Sequence, residues 1–167
     1  APKYRNDDLI ISHFSTKLNS KIAIEKPLLS WKYSISDPFK KLTNRKFYTL
    51  FNVRYNKEIQ SIKNLISTDN KINSIVLKFH DNIYKWYGER IYKNYVNDIN
   101  HGGALNISCH EIDLLLYITK TTPSDWMIID KIESYNRINP SLEDSIDINL
   151  FSKRYQINAY ISLSLIS

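Results

Sequence analysis

Apolar residues in the first part of the chain alternate between helical and strand-like spacing. Residues 7–18 carry apolar side chains at helical spacing, and residues 21–25 follow as a short apolar strand. Residues 38–42 are predicted to form a short helix, and the aromatic and β-branched run 47–53 a buried strand. Residues 55–66 return to helical spacing. This order of elements predicts a parallel sheet with covering helices.

The pattern changes after residue 67. Residues 104–118 are apolar around almost the whole helical circumference, which is typical of a buried helix. Strands are predicted at residues 72–79, 126–132, 145–151 and 155–165, the last two joined by a turn near Ser152. The predicted fold class is therefore α/β plus α+β. Residues 1–66 would be the C-terminal part of a Rossmann-like domain, and residues 67–167 an open, mostly antiparallel sheet with helices on one face.

One side of the predicted helix 104–118 is polar. At about 100° per residue, Asn106, His110, Asp113 and Tyr117 fall on one narrow face. Polar groups on a buried helix need partners, because leaving one unpaired costs about 1–3 kcal/mol. A substrate cleft would supply such partners, and hydrogen bonds to loops in a packed interior are the alternative. The glycine pair Gly102-Gly103 in front of the helix would permit a close backbone approach.

A metal site on the same helix is the other functional interpretation. His110 and Asp113 could both face a metal ion, but their spacing is not a recognised zinc pattern. The single cysteine, Cys109, would point to another side of the helix. We therefore predict no metal.

A strand end carries the second group of candidate residues. Glu25, Lys26 and Pro27 follow the first predicted strand directly, and open α/β sheets bind ligands beyond the carboxyl ends of their strands. A lysine in that place can exchange a proton with a substrate hydroxyl when its environment is desolvated. An exposed lysine without a ligand is the alternative interpretation.

Composition narrows the classes of partner. The formal net charge is +6, but lysines are spread along the chain rather than gathered in one run, so we predict no nucleic-acid partner. No apolar run approaches the roughly 18 residues that a membrane-spanning helix needs. A single cysteine is compatible with a reducing compartment, and we predict a cytoplasmic location.

Three segments in order resemble the Gfo/Idh/MocA oxidoreductases. Residues 21–28 (Lys-Ile-Ala-Ile-Glu-Lys-Pro-Leu) resemble the strand and Glu-Lys-Pro motif of that family. Residues 51–56 (Phe-Asn-Val-Arg-Tyr-Asn) resemble its last dinucleotide-domain strand with an Arg-Phe/Tyr step. Residues 102–114, with His110 and Asp113, resemble its glycine-led helix with a His-x-x-Asp sequence.

This resemblance implies hydride transfer between NAD or NADP and a carbon that bears a hydroxyl in a sugar, polyol or sugar derivative. Lys26 would match the lysine that hydrogen-bonds the substrate oxygen, and His110 the acid/base histidine. Asn106 stands where the family commonly has Asp, and Asn can orient a hydroxyl but cannot take its proton. Asp113 would match the later Asp of the family, with an orienting role at the substrate or a structural one.

The resemblance also implies a cofactor site and an assembly. Glu25, Lys26, Pro27 and Arg54 would lie at the cofactor. Arg54 would be near the edge of the cofactor domain, where a structural role is the favoured alternative. The protein would form a homo-oligomer through the C-terminal sheet. A non-catalytic relative that binds a sugar or a partner protein is the alternative, because Asn106 departs from the family pattern.

A dinucleotide site of this fold needs a glycine-rich turn after its first strand. The chain has only Gly88, Gly102 and Gly103, and none of them fits that turn. We therefore expect the chain to be an internal piece of a longer dehydrogenase, and the isolated piece to bind NAD or NADP weakly and to be inactive.

Overall fold

The computed structural model describes residues 22–25, 47–67, 72–93, 97, 102–107, 109–135 and 139–166. The chain divides into two compact units, residues 1–50 and 51–167, and each is described by itself. The helices predicted for residues 7–18 and 38–42 lie outside the described residues, and so does the side chain of Lys26.

Two parallel strands are described in the first unit. Strand β1 is Ile22–Glu25 and β2 is Phe47–Leu50, with Ile22 opposite Phe47 and Glu25 opposite Leu50. Both strands and their parallel pairing agree with the prediction. Their carboxyl ends are in register, so Glu25 and Leu50 lie at the same edge of the sheet.

The predicted strand 47–53 is wrong at its end. The strand ends at Leu50, and Asn52–Tyr55 forms a 3₁₀ helix. In this turn the Arg54 N–H donates a hydrogen bond to the Phe51 carbonyl. Apolar periodicity does not separate a strand from a short helical turn. Here the contacts that Phe51 and Arg54 make with a distant helix, described below, favour the turn.

Helix α1, Lys57–Ser67, confirms the helix predicted over residues 55–66. It begins after Asn56, whose side-chain oxygen accepts a hydrogen bond from the Glu58 N–H at 2.8 Å. Asn is a favoured residue before a helix because its side chain satisfies an otherwise unpaired backbone donor. Helix α1 lies against the later helix Cys109–Thr119, and both belong to the second unit.

The second unit is built on a four-stranded mixed sheet. Its strands are β3 (Ser74–His80), β4 (Met127–Tyr135), β5 (Glu143–Ser152) and β6 (Ile157–Ser164). Their order across the sheet is β3-β6-β5-β4, with β3 and β6 parallel and the other neighbours antiparallel. The predicted mostly antiparallel sheet is confirmed.

The helices of this unit cover one face of the sheet. They are α2 (Ile83–Tyr87), α3 (Ala104–Ile107) and α4 (Cys109–Thr119), and a 3₁₀ helix spans Gly88–Lys93. Ile83 and Leu115 pack on a row of sheet residues that includes Ile161. The opposite face is open, since Val76 is 58% exposed and Ile132 60%. This confirms the predicted arrangement of helices on one face.

The predicted division of the parent domains at residues 66 and 67 stays a prediction. Among the described residues, no helix is both long and apolar enough to cross a membrane.

Candidate functional site

The second glycine of the pair Gly102-Gly103 lies beside the carboxylate of Glu143. Gly103 has a φ of +90°, which side chains other than glycine rarely adopt. A Cβ on this residue would lie 2.6 Å from Oε1 of Glu143. The same oxygen accepts a hydrogen bond from the Leu105 N–H at 3.0 Å. The pair therefore permits a close approach, as predicted, and the group that approaches is the first residue of β5.

Asn106 is the first polar residue of the predicted stripe, and it is half-buried. Its amide nitrogen donates a hydrogen bond to the Gly102 carbonyl at 2.9 Å. An ionised aspartate has no proton to donate in this place. Asn106 therefore stabilises the turn that leads into the helix, in addition to any role toward a substrate.

His110 lies one helical turn further on and is also half-buried. Its ring meets the ring of Phe51 edge to face, with centroids 5.7 Å apart and planes at 79°. Edge-to-face contact is a favoured arrangement of aromatic rings. His110 is thus held by a residue that follows β2 in the sequence.

Asp113 forms an ion pair with Arg54. Arg54 Nε donates to Oδ2 of Asp113 at 2.7 Å, and Nη2 of the same guanidinium donates to Oδ1. The Asp113 side chain is only 10% exposed, whereas that of Arg54 is 39% exposed. This hydrogen bond raises the pKa of Arg54 above its usual value, so the guanidinium stays charged.

Tyr117 is the last residue of the polar stripe, and it contacts side chains of α1. Gln60 Nε2 donates to its hydroxyl at 2.6 Å, and Lys63 Nζ lies 3.5 Å from the centroid of its ring. The hydrogen bond from Lys63, followed by that from Gln60 and the charges of Lys63 and Arg54, lowers the pKa of the Tyr117 hydroxyl. A cation over a tyrosine ring is itself an attractive contact.

Arg54 is at the centre of this arrangement. Its guanidinium carbon lies 5.3 Å from the centroid of the Phe51 ring and 5.0 Å from that of Tyr117. We use the name Arg54 cluster for the joined residues, which are Phe51, Arg54, Gln60, His110, Asp113 and Tyr117. The cluster connects three residues of the predicted stripe to the segment that follows β2.

The structure thus brings together His110, Asp113 and Arg54 of the predicted site residues. Asn106 lies in the preceding helix α3, because the helix predicted over residues 104–118 is two helices, α3 and α4. Glu25 ends β1 in the other unit. Lys26 and Pro27 lie outside the described residues, so their approach to His110 stays a prediction. No group of three or more His, Cys, Asp or Glu within the described part of the chain could hold a metal ion.

Sequence reasoning did not single out Phe51, Gln60 or Glu143. Phe51 was assigned to a strand, and its contact with His110 joins positions that no local pattern relates. Glu143 could have been suspected only as a carboxylate at the start of a strand, and nothing connects it to Gly103 before the fold is known.

No protein-family model matches the chain, and a search of curated proteins finds no match. Solved structures do match it. The D-galactose-1-dehydrogenase of Rhizobium etli superposes with a TM-score of 0.76 at 10% sequence identity, covering 98% of this chain and 50% of that one. The scyllo-inositol dehydrogenase of Lactobacillus casei, solved with NAD(H) and scyllo-inositol, superposes with a TM-score of 0.66 at 18% identity, covering 98% of this chain and 48% of that one.

The chain has the fold of Gfo/Idh/MocA sugar and inositol dehydrogenases. A transcriptional regulator shares this fold. Gal80p of Kluyveromyces lactis superposes with a TM-score of 0.67 at 20% identity, covering 96% of this chain and 44% of that one. The chain spans about half the length of the solved structures it matches.

Proposed function

We propose that this chain is part of a Gfo/Idh/MocA oxidoreductase that transfers hydride between NAD or NADP and a hydroxyl-bearing carbon of a sugar, polyol or sugar derivative. The observation that supports this most is the position of His110, which is half-buried on α4 in a unit that shares its fold with sugar and inositol dehydrogenases. Fold alone does not establish activity, so the proposal depends on that residue and its surroundings.

The proposed chemistry needs a group that takes the hydroxyl proton as hydride leaves the carbon that bears this hydroxyl. An imidazole titrates near neutral pH, so His110 can take that proton and return it in the reverse reaction. In this proposal the Lys26 ammonium hydrogen-bonds the substrate oxygen. Asn106 Oδ1 would accept a hydrogen bond from a second hydroxyl, while its amide nitrogen remains on Gly102, and Asp113 would orient this face of the helix.

The cofactor would supply the hydride acceptor when bound. Glu25 and Leu50 end neighbouring parallel strands in register, which is the edge where open α/β sheets bind ligands. Glu25, Lys26 and Pro27 are thus the residues that would lie against the cofactor. The space beside Gly103 is occupied by the Glu143 carboxylate, so it does not fit a cofactor phosphate.

The test is turnover by the complete protein that contains this chain. NAD and NADP are each offered with a panel of sugars and inositols, and formation of the reduced nicotinamide is followed by absorbance. We expect His110→Asn to lower kcat by about 10²- to 10⁴-fold with a smaller effect on KM, because acid/base catalysis contributes that much. Activity that survives His110→Asn unchanged would refute the assignment.

His80→Asn is the matched control. His80 is exposed on β3 and its Nε2 lies 2.7 Å from the Ser162 hydroxyl, within the sheet rather than on the helix. This variant should keep the activity of the native protein.

A non-catalytic role in binding a sugar or a partner is the second candidate. It is favoured by Asn106, whose amide is engaged with Gly102, and by the regulator Gal80p among the matching structures. One comparison distinguishes the two candidate functions. If the native protein binds a sugar in calorimetry but shows no turnover, the non-catalytic role is favoured. Turnover gained by Asn106→Asp would show that this residue separates them.

We also propose that the protein assembles with copies of itself through the open face of the sheet and its β4 edge. Ile128, Ile129 and Ile132 on β4 are 65%, 60% and 60% exposed. Exposed apolar residues on an edge strand invite association. Light scattering should show an oligomer, and Ile132→Lys should weaken it; a native monomer at high concentration would contradict this. A cytoplasmic location and the absence of a nucleic-acid partner stay predictions.

A further inference from the structure

The Arg54 cluster connects His110 to its neighbours through side chains of one short segment. Phe51 contacts the imidazole ring edge to face, and the guanidinium carbon of Arg54 lies over the Phe51 ring, 5.3 Å from its centroid. Arg54 in turn holds Asp113, three residues after His110 on the same helical face. Any movement of Arg54 would therefore change two neighbours of the imidazole together.

We propose that Phe51 and Arg54 are positioning residues for His110, and that Arg54 is not a cofactor ligand. The importance of this for catalysis rests on the proposed function, whereas the positioning itself does not. Phe51 restricts the rotation of the imidazole ring, and Arg54 fixes Phe51 by lying over it.

Arg54 also controls the charge that His110 experiences. Asp113 is nearly buried, and an unpaired carboxylate beside an imidazole would favour its protonated form. The guanidinium neutralises that carboxylate through two parallel hydrogen bonds. The carboxylate then carries no uncompensated charge on the helical face that it shares with His110.

The geometry explains why an arginine serves here. A guanidinium is planar and presents donors in a fixed fork, so it can bind both oxygens of a carboxylate while its face lies on an aromatic ring. A lysine offers one ammonium group and no flat surface. Arg54 uses the fork on Asp113 and its faces on Phe51 and Tyr117.

The test is an NMR titration of the histidine ring signals in this 167-residue chain, with the His110 signals assigned by His110→Asn. In Arg54→Gln the Asp113 carboxylate loses its cation, which favours the charged imidazole. We therefore expect the midpoint of the His110 titration to rise by about 0.5 to 1 pH unit, since solvent screens the rest of the effect. Arg154→Gln is the matched control, because it breaks an exposed ion pair with Asp125 elsewhere in the same unit. The control should leave the midpoint unchanged.

A His110 midpoint that is the same in the native chain and in a folded Arg54→Gln variant would overturn the proposal. If Arg54→Gln does not fold, Phe51→Leu decides instead. This variant should show nuclear Overhauser contacts of the His110 ring protons that fit more than one ring orientation, and the same contact pattern as in the native chain would overturn the proposal. The result is independent of activity, so a chain without dehydrogenase function could still show the positioning.

In the complete protein, the same variant separates positioning from cofactor binding. Arg54→Gln should shift the pH profile of kcat while the Kd of NAD, measured by fluorescence, changes less than twofold. A weaker NAD complex with an unshifted pH profile would show that Arg54 is a cofactor ligand after all.

Discussion

The two ends of the helical segment that carries the polar stripe are held in different ways. At its start, Glu143 occupies the space beside Gly103 and binds the Leu105 N–H, so the contact depends on backbone conformation. At its far end, Asp113 and Tyr117 are held by side chains of Arg54 and Gln60. A Cβ at Gly103 would strain the backbone and displace the Glu143 carboxylate from the Leu105 N–H, whereas the far end depends on several side-chain contacts. His110 lies between the two.

The largest effect should come from Gly103→Ala. A Cβ there meets the Glu143 carboxylate and the positive φ becomes strained, so we expect a loss of about 2–3 kcal/mol in the free energy of unfolding. Urea denaturation followed by circular dichroism measures it.

Gly88→Ala is the control for this variant. Gly88 also has a positive φ, +52°, but a Cβ there would meet nothing within 4 Å. Only the backbone strain remains, and with ψ at −136° it costs about 1–3 kcal/mol. A Gly103→Ala loss that is the same in the native chain and in Glu143→Ala would show that Glu143 does not press on Gly103.

The far end should respond less strongly and asymmetrically. Arg54→Leu leaves the nearly buried Asp113 carboxylate uncompensated, and we expect it to cost about 1–2 kcal/mol. Asp113→Leu leaves Arg54, which is 39% exposed, in contact with water and should cost less than about 1 kcal/mol.

A double-mutant cycle in urea tests this asymmetry directly. The double variant should cost less than the sum of the two single variants, because the pair is removed as a unit. Strict additivity would mean that the ion pair contributes nothing to stability.

The smallest effect is expected just beyond the helix. Lys120 has a φ of +54° directly after Thr119, and the Thr121 N–H bonds the Leu116 carbonyl at 3.1 Å. Glycine is favoured in this position, so Lys120→Gly should stabilise the protein by about 0.5 kcal/mol, seen as a higher Tm. Gln156→Gly, at the same φ, also loses a side-chain bond to the Lys153 carbonyl and should show no gain.

Periodicity was sufficient for most of the second unit. The strands β3, β5 and β6, the helix α1 and the polar face with His110 and Asp113 agree with the predicted positions, because alternating and helical burial patterns are local properties. The same reasoning failed after Leu50, where a run of apolar residues continues but the chain turns.

The partners of the polar stripe could not be predicted. Arg54 and Asp113 are 59 positions apart, and Glu143 is 38 positions from Leu105. Such pairs exist only once the sheet and helices have packed, and a single sequence carries no local signal of them. The sequence could therefore show which face of the helix is polar, but not whether a ligand or the protein satisfies it.

The position of β6 has a consequence for how this unit can form. It lies between β3 and β5, and it is the last of the four strands to be synthesised. Within the described residues, β3 pairs in the sheet only with β6. The first strand therefore cannot form its backbone hydrogen bonds to the sheet until the last strand is present. Shortening the chain before Ile157 would thus leave β3 without its partner in the sheet and reduce the sheet to the β4–β5 pair, and a ribosome-bound chain would complete the unit late.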